Sequence, residues 1–326
     1  MTRILFAEQA FRRVLPRLGA LAAQIECLVM DEAGTIRLDG REISAGDARP
    51  EGAWISNGIL FSPMEQAYLD ALLASANLKW VQSGGAGVDH RMFVQLAEKD
   101  VRLTTNHGQA VGMAEYVLWA VLNHLQFGNA RSAEQAAHRW TKWRFREMSG
   151  MRWTIIGFGA IGEAVACRAK AFDAHVTGVR RQAGSSPFAD VMATPDEMLD
   201  HLGDSDVVLL CAPQTPQTVN MVNADFLAAM KPGSLLVNVG RGSLIDDDAL
   251  FAALSAGKPE HAVLDVFRTE PLPPDSWFWS HPRVTVTAHT SAMSTGAEAR
   301  GEDLFVDNLA RYLEGRPLLH EIPRPS

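Results

Sequence analysis

Cysteine is scarce in this chain of 326 residues. Cys27, Cys167 and Cys211 have no metal-ligand spacing, and their odd number argues against a disulfide framework. Each has apolar neighbours, so packing is the expected role of all three, in a reducing cytoplasm. Basic charge is also in deficit: 30 Lys and Arg stand against 38 Asp and Glu, a net charge of −8. That excludes the broad basic face of a nucleic-acid binder and leaves room for local anion sites. No apolar run approaches the roughly 18 residues a membrane helix needs. Met1 to Arg13 lacks a charged lead followed by a long apolar core, so no signal peptide is expected. Repeats and low-complexity segments are missing as well. What is present is a globular composition, 47% hydrophobic and 21% charged, in a length that favours two domains.

The stretch from Arg152 to Arg181 organises the rest. An apolar run, Trp153 to Ile156, turns through Gly157-Phe158-Gly159-Ala160-Ile161-Gly162. A helical pattern follows, with Ile161, Ala164, Val165, Ala169 and Phe172 at three- and four-residue spacing, and then a second apolar run, His175 to Val179. Strand, glycine turn, helix and strand in this order read as a dinucleotide-binding unit. The first glycine permits the turn, the second admits a pyrophosphate, and the third lets helix and strand approach. Amides at the helix start then face the phosphates. One thing is lacking here too. An NAD-selective site usually ends the second strand with an acid that accepts from the ribose 2′-hydroxyl. This chain has Arg180 and Arg181 there. Paired guanidinium donors suit a 2′-phosphate, so NADP is expected over NAD. The competing reading is two solvated surface arginines.

In chain order, strands are expected at Arg3–Ala7, Cys27–Met30, Ala53–Ser56, Leu78–Gln82 and Val101–Thr104, with a hairpin about Asp39-Gly40. Helical patterns at Gln9–Ala22, Pro63–Ala74 and Asp89–Glu98 alternate with them, which predicts a largely parallel sheet. Gly84-Gly85-Ala86-Gly87 follows the fourth strand and is either an anion nest or a flexible turn. The helix Ala110–Gln126 is apolar on more than one side, and Trp140 and Trp143 follow it. Such a helix is buried in a core or against a partner, and we expect a homodimer contact there. Further strands at Val207–Ala212, Leu235–Val239, Ala262–Val266 and Val284–Ala288 alternate with helices at Asp196–Leu202, Ala224–Met230 and Asp247–Ala256. Gly157, Pro213, Arg241, Asp265 and His289 all fall at or near carboxyl ends of strands, where open α/β sheets bind ligands. A last helix, Thr295–Glu314, is expected to be capped by Ser294 or Thr295 and ended by Gly315. A proline-rich, extended tail follows from His320.

Reduction of a 2-oxo acid needs a cation for the carboxylate, a proton donor for the carbonyl oxygen and a cofactor beside it. Arginine supplies a permanent, forked charge. Histidine titrates near operating pH, and a carboxylate bonded to it favours the imidazolium and fixes its orientation. Arg241, Glu270 and His289 are the candidates. Singly, Arg241 could contact phosphate, Glu270 could be a surface charge and His289 a core histidine.

Several segments together resemble the D-isomer-specific 2-hydroxyacid dehydrogenases. They are Gly157–Gly162, Cys211-Ala-Pro-Gln-Thr-Pro-Gln-Thr218, Val237-Asn-Val-Gly-Arg-Gly-Ser-Leu-Ile-Asp246, Leu264-Asp-Val-Phe-Arg-Thr-Glu-Pro-Leu272, Thr287-Ala-His289 and, more weakly, Gly85-Ala-Gly-Val-Asp89. The resemblance implies two Rossmann- or flavodoxin-like, doubly wound α/β domains with the active site in the cleft between them. The dinucleotide-binding domain would span 105–290, and a discontinuous substrate domain 1–104 plus 291–326. It implies that Arg241 binds substrate, that His289 is the acid/base paired with Glu270, and that the backbone of Gly85, Ala86 and Gly87 holds the substrate carboxylate. Around the cofactor it places Ala212, Pro213, Thr218, Val239, Gly240, Asp265 and His289, with Asp265 near the carboxamide. No metal is implied. Two departures stand out: Ala288 replaces a frequent proline before the histidine, and Arg180 replaces the usual acid. The arginine pair and the glycine-rich loop look most like glyoxylate/hydroxypyruvate reductases. Glu270 speaks against formate dehydrogenase, whose relatives carry glutamine in that role. The rival function on the same fold is nucleotide sensing by a corepressor-like protein without turnover.

Overall fold

Apolar runs become strands of two separate sheets in the computed structural model, which describes residues 1–60, 62–87, 90–182 and 184–322. Val88 and Asp89, which end the weaker glycine motif and begin an expected helix, lie outside the described residues, as do the last four residues of the tail. The chain divides into one unit of Met1–Gln109 with Thr295–Ser326 and a second of Ala110–Ser294. No helix among the described residues is long and apolar enough to cross a membrane.

The first unit has strands β1 (Thr2–Ala7), β2 (Ile25–Met30), β3 (Ile36–Leu38), β4 (Arg41–Ile43), β5 (Gly52–Ile55), β6 (Trp80–Ser83) and β7 (Arg102–Thr104). They form one sheet in the order β4-β3-β2-β1-β5-β6-β7. It is parallel from β2 to β7, and the β3–β4 hairpin adds an antiparallel edge. Asp39 and Gly40 both take positive φ (49° and 77°), the pairing a tight type I′ turn requires. The final helix, Ala297–Leu313, brings Phe305 into this unit's core, where its ring lies 5.1–5.6 Å from those of Phe6, Trp54 and Trp80. Its buried Glu302 accepts from Arg13 at 2.6 Å and pairs with Arg17 at 3.3 Å, so the charge is compensated within the unit.

Several boundaries differ from expectation. The first helix stops at Leu18 and continues as a 3-10 turn to Gln24, because Pro16 and Gly19 interrupt the regular pattern. Neither Ser294 nor Thr295 caps the last helix; Gly296 stands at its start with no side-chain bond. Gly315 does follow its end in the left-handed conformation (φ 68°).

The second unit has β8 (Arg152–Ile156), β9 (His175–Val179), β10 (Val191–Ala193), β11 (Val207–Leu210), β12 (Leu235–Asn238), β13 (His261–Leu264) and β14 (Val284–Val286). Their order is β10-β9-β8-β11-β12-β13-β14, and every pairing is parallel. β11 and β12 are buried throughout, which explains their unbroken apolar sequences. The strand order reverses between β8 and β11, so the chain leaves β8 to one side and returns to the other. Ligands bind beyond the carboxyl ends of strands at such a reversal. The helix Ala160–Lys170 buries Gly162, Val165, Ala166 and Ala169, but it ends before Phe172, which is 43% exposed. Cys167 on the same helix is also exposed, contrary to the packing role expected for it. Burial pushes the Cys27 thiol up to about 11 and the Cys211 thiol to about 12, so both stay protonated and act as packing groups.

Candidate active site

Backbone sterics at the ends of β8, β11, β12 and β13 build the site. Gly157 ends β8 with φ 94°, and a Cβ there would lie 2.4 Å from the Ala212 amide nitrogen after β11. Glycine is required on both counts. Gly240 after β12 would likewise meet the Ala212 carbonyl at 2.8 Å. Gly242 would run into the Phe267 carbonyl carbon at 1.9 Å. The Gly157, Ala212, Gly240–Gly242 and Phe267–Arg268 segments are therefore stacked backbone against backbone along one rim of the sheet.

The glycine turn fits a pyrophosphate. Space beside Gly159 is open, and a Cβ at Gly162 would press on the Gly157 carbonyl and Ile155 at 3.1 Å. The amides that remain for an anion differ from a simple reading of the motif. Gly157 and Phe158 donate to the Val179 carbonyl at 3.0 and 2.9 Å, and Gly159 to the Gly157 carbonyl. The first amides of the helix, on Ala160, Ile161 and Gly162, have no backbone acceptor among the described residues. The Phe158 side chain is core: it is buried against Gly178 of β9, where a Cβ would touch its ring at 2.5 Å. The Cys211 thiol donates to the Gly157 carbonyl at 3.2 Å and helps to hold the turn.

Arg180 follows β9, half-buried, with its Nε donating to the Gln182 carbonyl at 3.1 Å; Arg181 beside it is exposed. Pro213 is exposed. Thr218 closes the loop after β11, where its hydroxyl donates to the Pro213 carbonyl at 2.8 Å and accepts from the Thr215 amide at 2.7 Å. Val239 is buried and donates to the Leu210 carbonyl.

Arg241 leaves β12 in an extended conformation (φ −141°), and its Nη1 donates to the Gly240 carbonyl at 2.8 Å. Asn238, which the sequence reading overlooked, holds this segment. Fully buried, it accepts from the Gly240 amide and donates to the Arg241 carbonyl. A buried amide at the last position of an apolar strand was the available signal.

Glu270 and His289 meet. His289 Nδ1 lies 2.7 Å from Glu270 Oε2, while Glu270 Oε1 accepts from the Phe267 amide at 2.8 Å. A carboxylate only accepts, so Nδ1 carries the proton of this bond. Nε2 is left outside this bond, on a half-exposed ring (49%). His289 takes φ 53°, unusual for a residue with a Cβ. Asp265, just beyond β13, is fully buried and bonds the loop carrying His289. In the first unit, Gly85 donates to Ser83 Oγ at 3.1 Å and its carbonyl accepts from Asn106. The Ala86 and Gly87 amides have no acceptor among the described residues. No cluster of three or more His, Cys, Asp or Glu among the described residues could hold a metal ion.

Comparison with known proteins bears on this geometry. Residues 118–291 match the family model for the NAD binding domain of D-isomer specific 2-hydroxyacid dehydrogenases. Solved structures agree over the whole chain. A D-isomer specific 2-hydroxyacid dehydrogenase family protein from Aeromonas salmonicida is 27% identical, with a TM-score of 0.80 and coverage of 99% of both chains. A D-isomer specific 2-hydroxyacid dehydrogenase from Xanthobacter autotrophicus, solved with NADPH, is 25% identical, with a TM-score of 0.78 over 99% of this chain and 98% of that one. An NADPH-dependent glyoxylate/hydroxypyruvate reductase from Sinorhizobium meliloti, solved with NADP and sulfate, is 25% identical, with a TM-score of 0.77 and the same coverage. A model matched over more than half of the chain, on a fold shared end to end, has one consequence: the chain belongs to the D-isomer specific 2-hydroxyacid dehydrogenase family and is an NAD(P)-dependent dehydrogenase/reductase.

Proposed function

We propose that this enzyme reduces a small 2-oxo acid of the glyoxylate or hydroxypyruvate type to the D-2-hydroxy acid, with NADPH as the preferred coenzyme and His289 as the acid. The observation that supports this most is the 2.7 Å bond between Glu270 and His289 on the rim that also carries the glycine turn and Arg241. NADPH, when bound, supplies the hydride. The Ala160–Gly162 amides would hold its pyrophosphate, and Arg180 with Arg181 its 2′-phosphate. Ala212, Pro213, Thr218, Val239 and Gly240 form the wall beside it. Arg241 grips the substrate carboxylate with its fork. Within the first unit, the Ala86 and Gly87 amides of the Gly85–Gly87 turn are donors suited to a carboxylate. Glu270 holds the imidazole by Nδ1, so that Nε2 is the atom that gives the proton to the carbonyl oxygen. Aligning the reactants supplies rate by itself, and positioned proton transfer adds about 10²–10⁴-fold.

A panel of 2-oxo acids assayed by loss of nicotinamide absorbance tests this reading. We expect turnover with glyoxylate or hydroxypyruvate and a higher kcat/KM with NADPH than with NADH. Arg180→Ala should narrow that coenzyme preference by raising the KM for NADPH more than for NADH. A preference for NADH in the unaltered enzyme would reject the 2′-phosphate assignment. Binding of coenzyme without turnover on any oxo acid would favour the sensing protein instead.

The enzyme is also proposed to be a homodimer. Trp119 and Phe127 are exposed on or beside the helix Ala110–Leu125, and Trp143, Phe145 and the 94% exposed Trp140 follow. A groove of about 540 Å³ lies nearby, lined by Leu118, Trp119, Leu122 and Phe172 among others. Apolar surface of this kind marks protein contacts. Light scattering at micromolar concentration should give twice the 35.6 kDa chain mass; a monomer would remove the proposal.

A further inference from the structure

Tyr116 and Thr287 have no part in the mechanism above, yet they connect directly to it. Tyr116 Oη lies 2.6 Å from Thr287 Oγ1, and Thr287 Oγ1 lies 2.6 Å from Asp265 Oδ1. The direction of both bonds follows from the donor inventory. An ionised carboxylate only accepts, so the threonine hydroxyl gives its one hydrogen to Asp265. The same hydroxyl oxygen can then only accept, and Tyr116 is the donor. Burial pushes the tyrosine up to about 12, so it keeps its proton at any pH at which the enzyme works.

Asp265 gathers the loop around itself. Its Oδ1 also accepts from the Thr290 amide at 2.9 Å, its Oδ2 from the Ser291 amide at 2.9 Å, and its carbonyl from the His289 amide at 2.7 Å. Every one of these bonds falls on the five residues Thr287 to Ser291, and His289 is in the middle of them. Its φ of 53° is a conformation that surrounding bonds must maintain. The catalytic imidazole is thus presented by a loop whose shape is imposed by one buried carboxylate. That carboxylate in turn accepts from the loop's own Thr287 hydroxyl, which is held by Tyr116 reaching in from the helix Ala110–Leu125.

We propose that Tyr116 is a positioning residue for His289: through Thr287 it fixes the Asp265 carboxylate, and so the loop that aims the imidazole. This rests on the acid/base role proposed for His289, and it assigns a role to a residue that acts on the imidazole only through Thr287 and Asp265. Losing the tyrosine hydroxyl frees the threonine and lets the carboxylate rotate. The loop then samples other conformations, without the strand, the helix or the glycine turn being altered.

Tyr116→Phe removes only that hydroxyl. The expected result is a kcat lower by roughly 3- to 10-fold, the worth of one buried hydrogen bond, with the KM for substrate and coenzyme changed less than twofold. Thr287→Val should act alike, and the double substitution should be no worse than the single ones, because one chain of bonds is being cut twice. A readout independent of turnover accompanies these: amide hydrogen exchange of the coenzyme-free protein. Exchange in the 287–291 segment should accelerate in Tyr116→Phe while the strands of the same unit stay protected. Unchanged exchange in that segment overturns the proposal whatever the turnover, and so does faster exchange with an unchanged kcat. Absence of 2-oxo acid reduction in the unaltered enzyme would instead remove the reaction proposed above, an outcome read separately from loop exchange.

Discussion

Replacing His289 by asparagine is expected to lower kcat by at least about 100-fold, and by up to about 10⁴-fold, while coenzyme still binds. Asparagine is the informative choice because it tolerates the positive φ of 53° found at this position. Alanine would add backbone strain to the loss of the acid. The size of the effect follows from geometry. Glu270 Oε2 fixes Nδ1 at 2.7 Å, and Glu270 is itself held through Oε1 by the Phe267 amide, so the ring has one orientation and one free nitrogen. Fluorescence titration with NADPH should give an affinity close to that of the unaltered enzyme, since the glycine turn lies on another strand. Turnover near the unaltered rate would refute the acid/base role. Loss of both turnover and coenzyme binding would point to a collapsed loop.

Arg241→Lys should raise the substrate KM by roughly 10- to 100-fold and leave the KM for coenzyme nearly unchanged. The charge is retained, so the change isolates the forked geometry. A guanidinium makes two parallel charge-assisted bonds to a carboxylate, and an ammonium cannot reproduce both. Such bonds are worth about 1.5–3 kcal/mol each, which sets the range. The backbone around Arg241 is already constrained by Asn238 and by the contact of Gly242 with Phe267, so the lysine would be presented from the same point. An unchanged substrate KM would contradict the carboxylate role.

Much of this site was legible because its chemistry lies at strand ends, and the strands were legible from their apolar runs. Gly157 sits where the sheet order reverses, and only a residue without a Cβ fits between β8 and Ala212. Other features gave no local signal. The helix Gly128–Ala136 buries no residue, so no apolar periodicity marks it. The pattern through Phe172 ran past the true end of its helix at Lys170, and the last aromatic emerged on the surface. Amide usage in the glycine turn depends on the neighbouring strand: Val179 takes the donors of Gly157 and Phe158, which leaves the Ala160–Gly162 amides as the open donors. Tyr116 and Thr287 are 171 positions apart, and nothing in either segment hints that their hydroxyls meet. Spacing along a chain reports on helices and strands; side-chain bonds between distant segments it does not report.

The placement of Phe305 has a consequence for biosynthesis. The first unit is begun by residues 1–109 but completed only by residues 295–326, after the whole of the second unit has been made. Until the ribosome has released that closing helix, Phe6, Trp54 and Trp80 lack the ring that fills the space between them. The second unit, whose residues are contiguous, is free to fold first, and the earlier-made half must wait with its aromatic surface uncovered. Nascent chains stalled just short of residue 295 should therefore protect 110–294 from protease while the preceding segment is still cut.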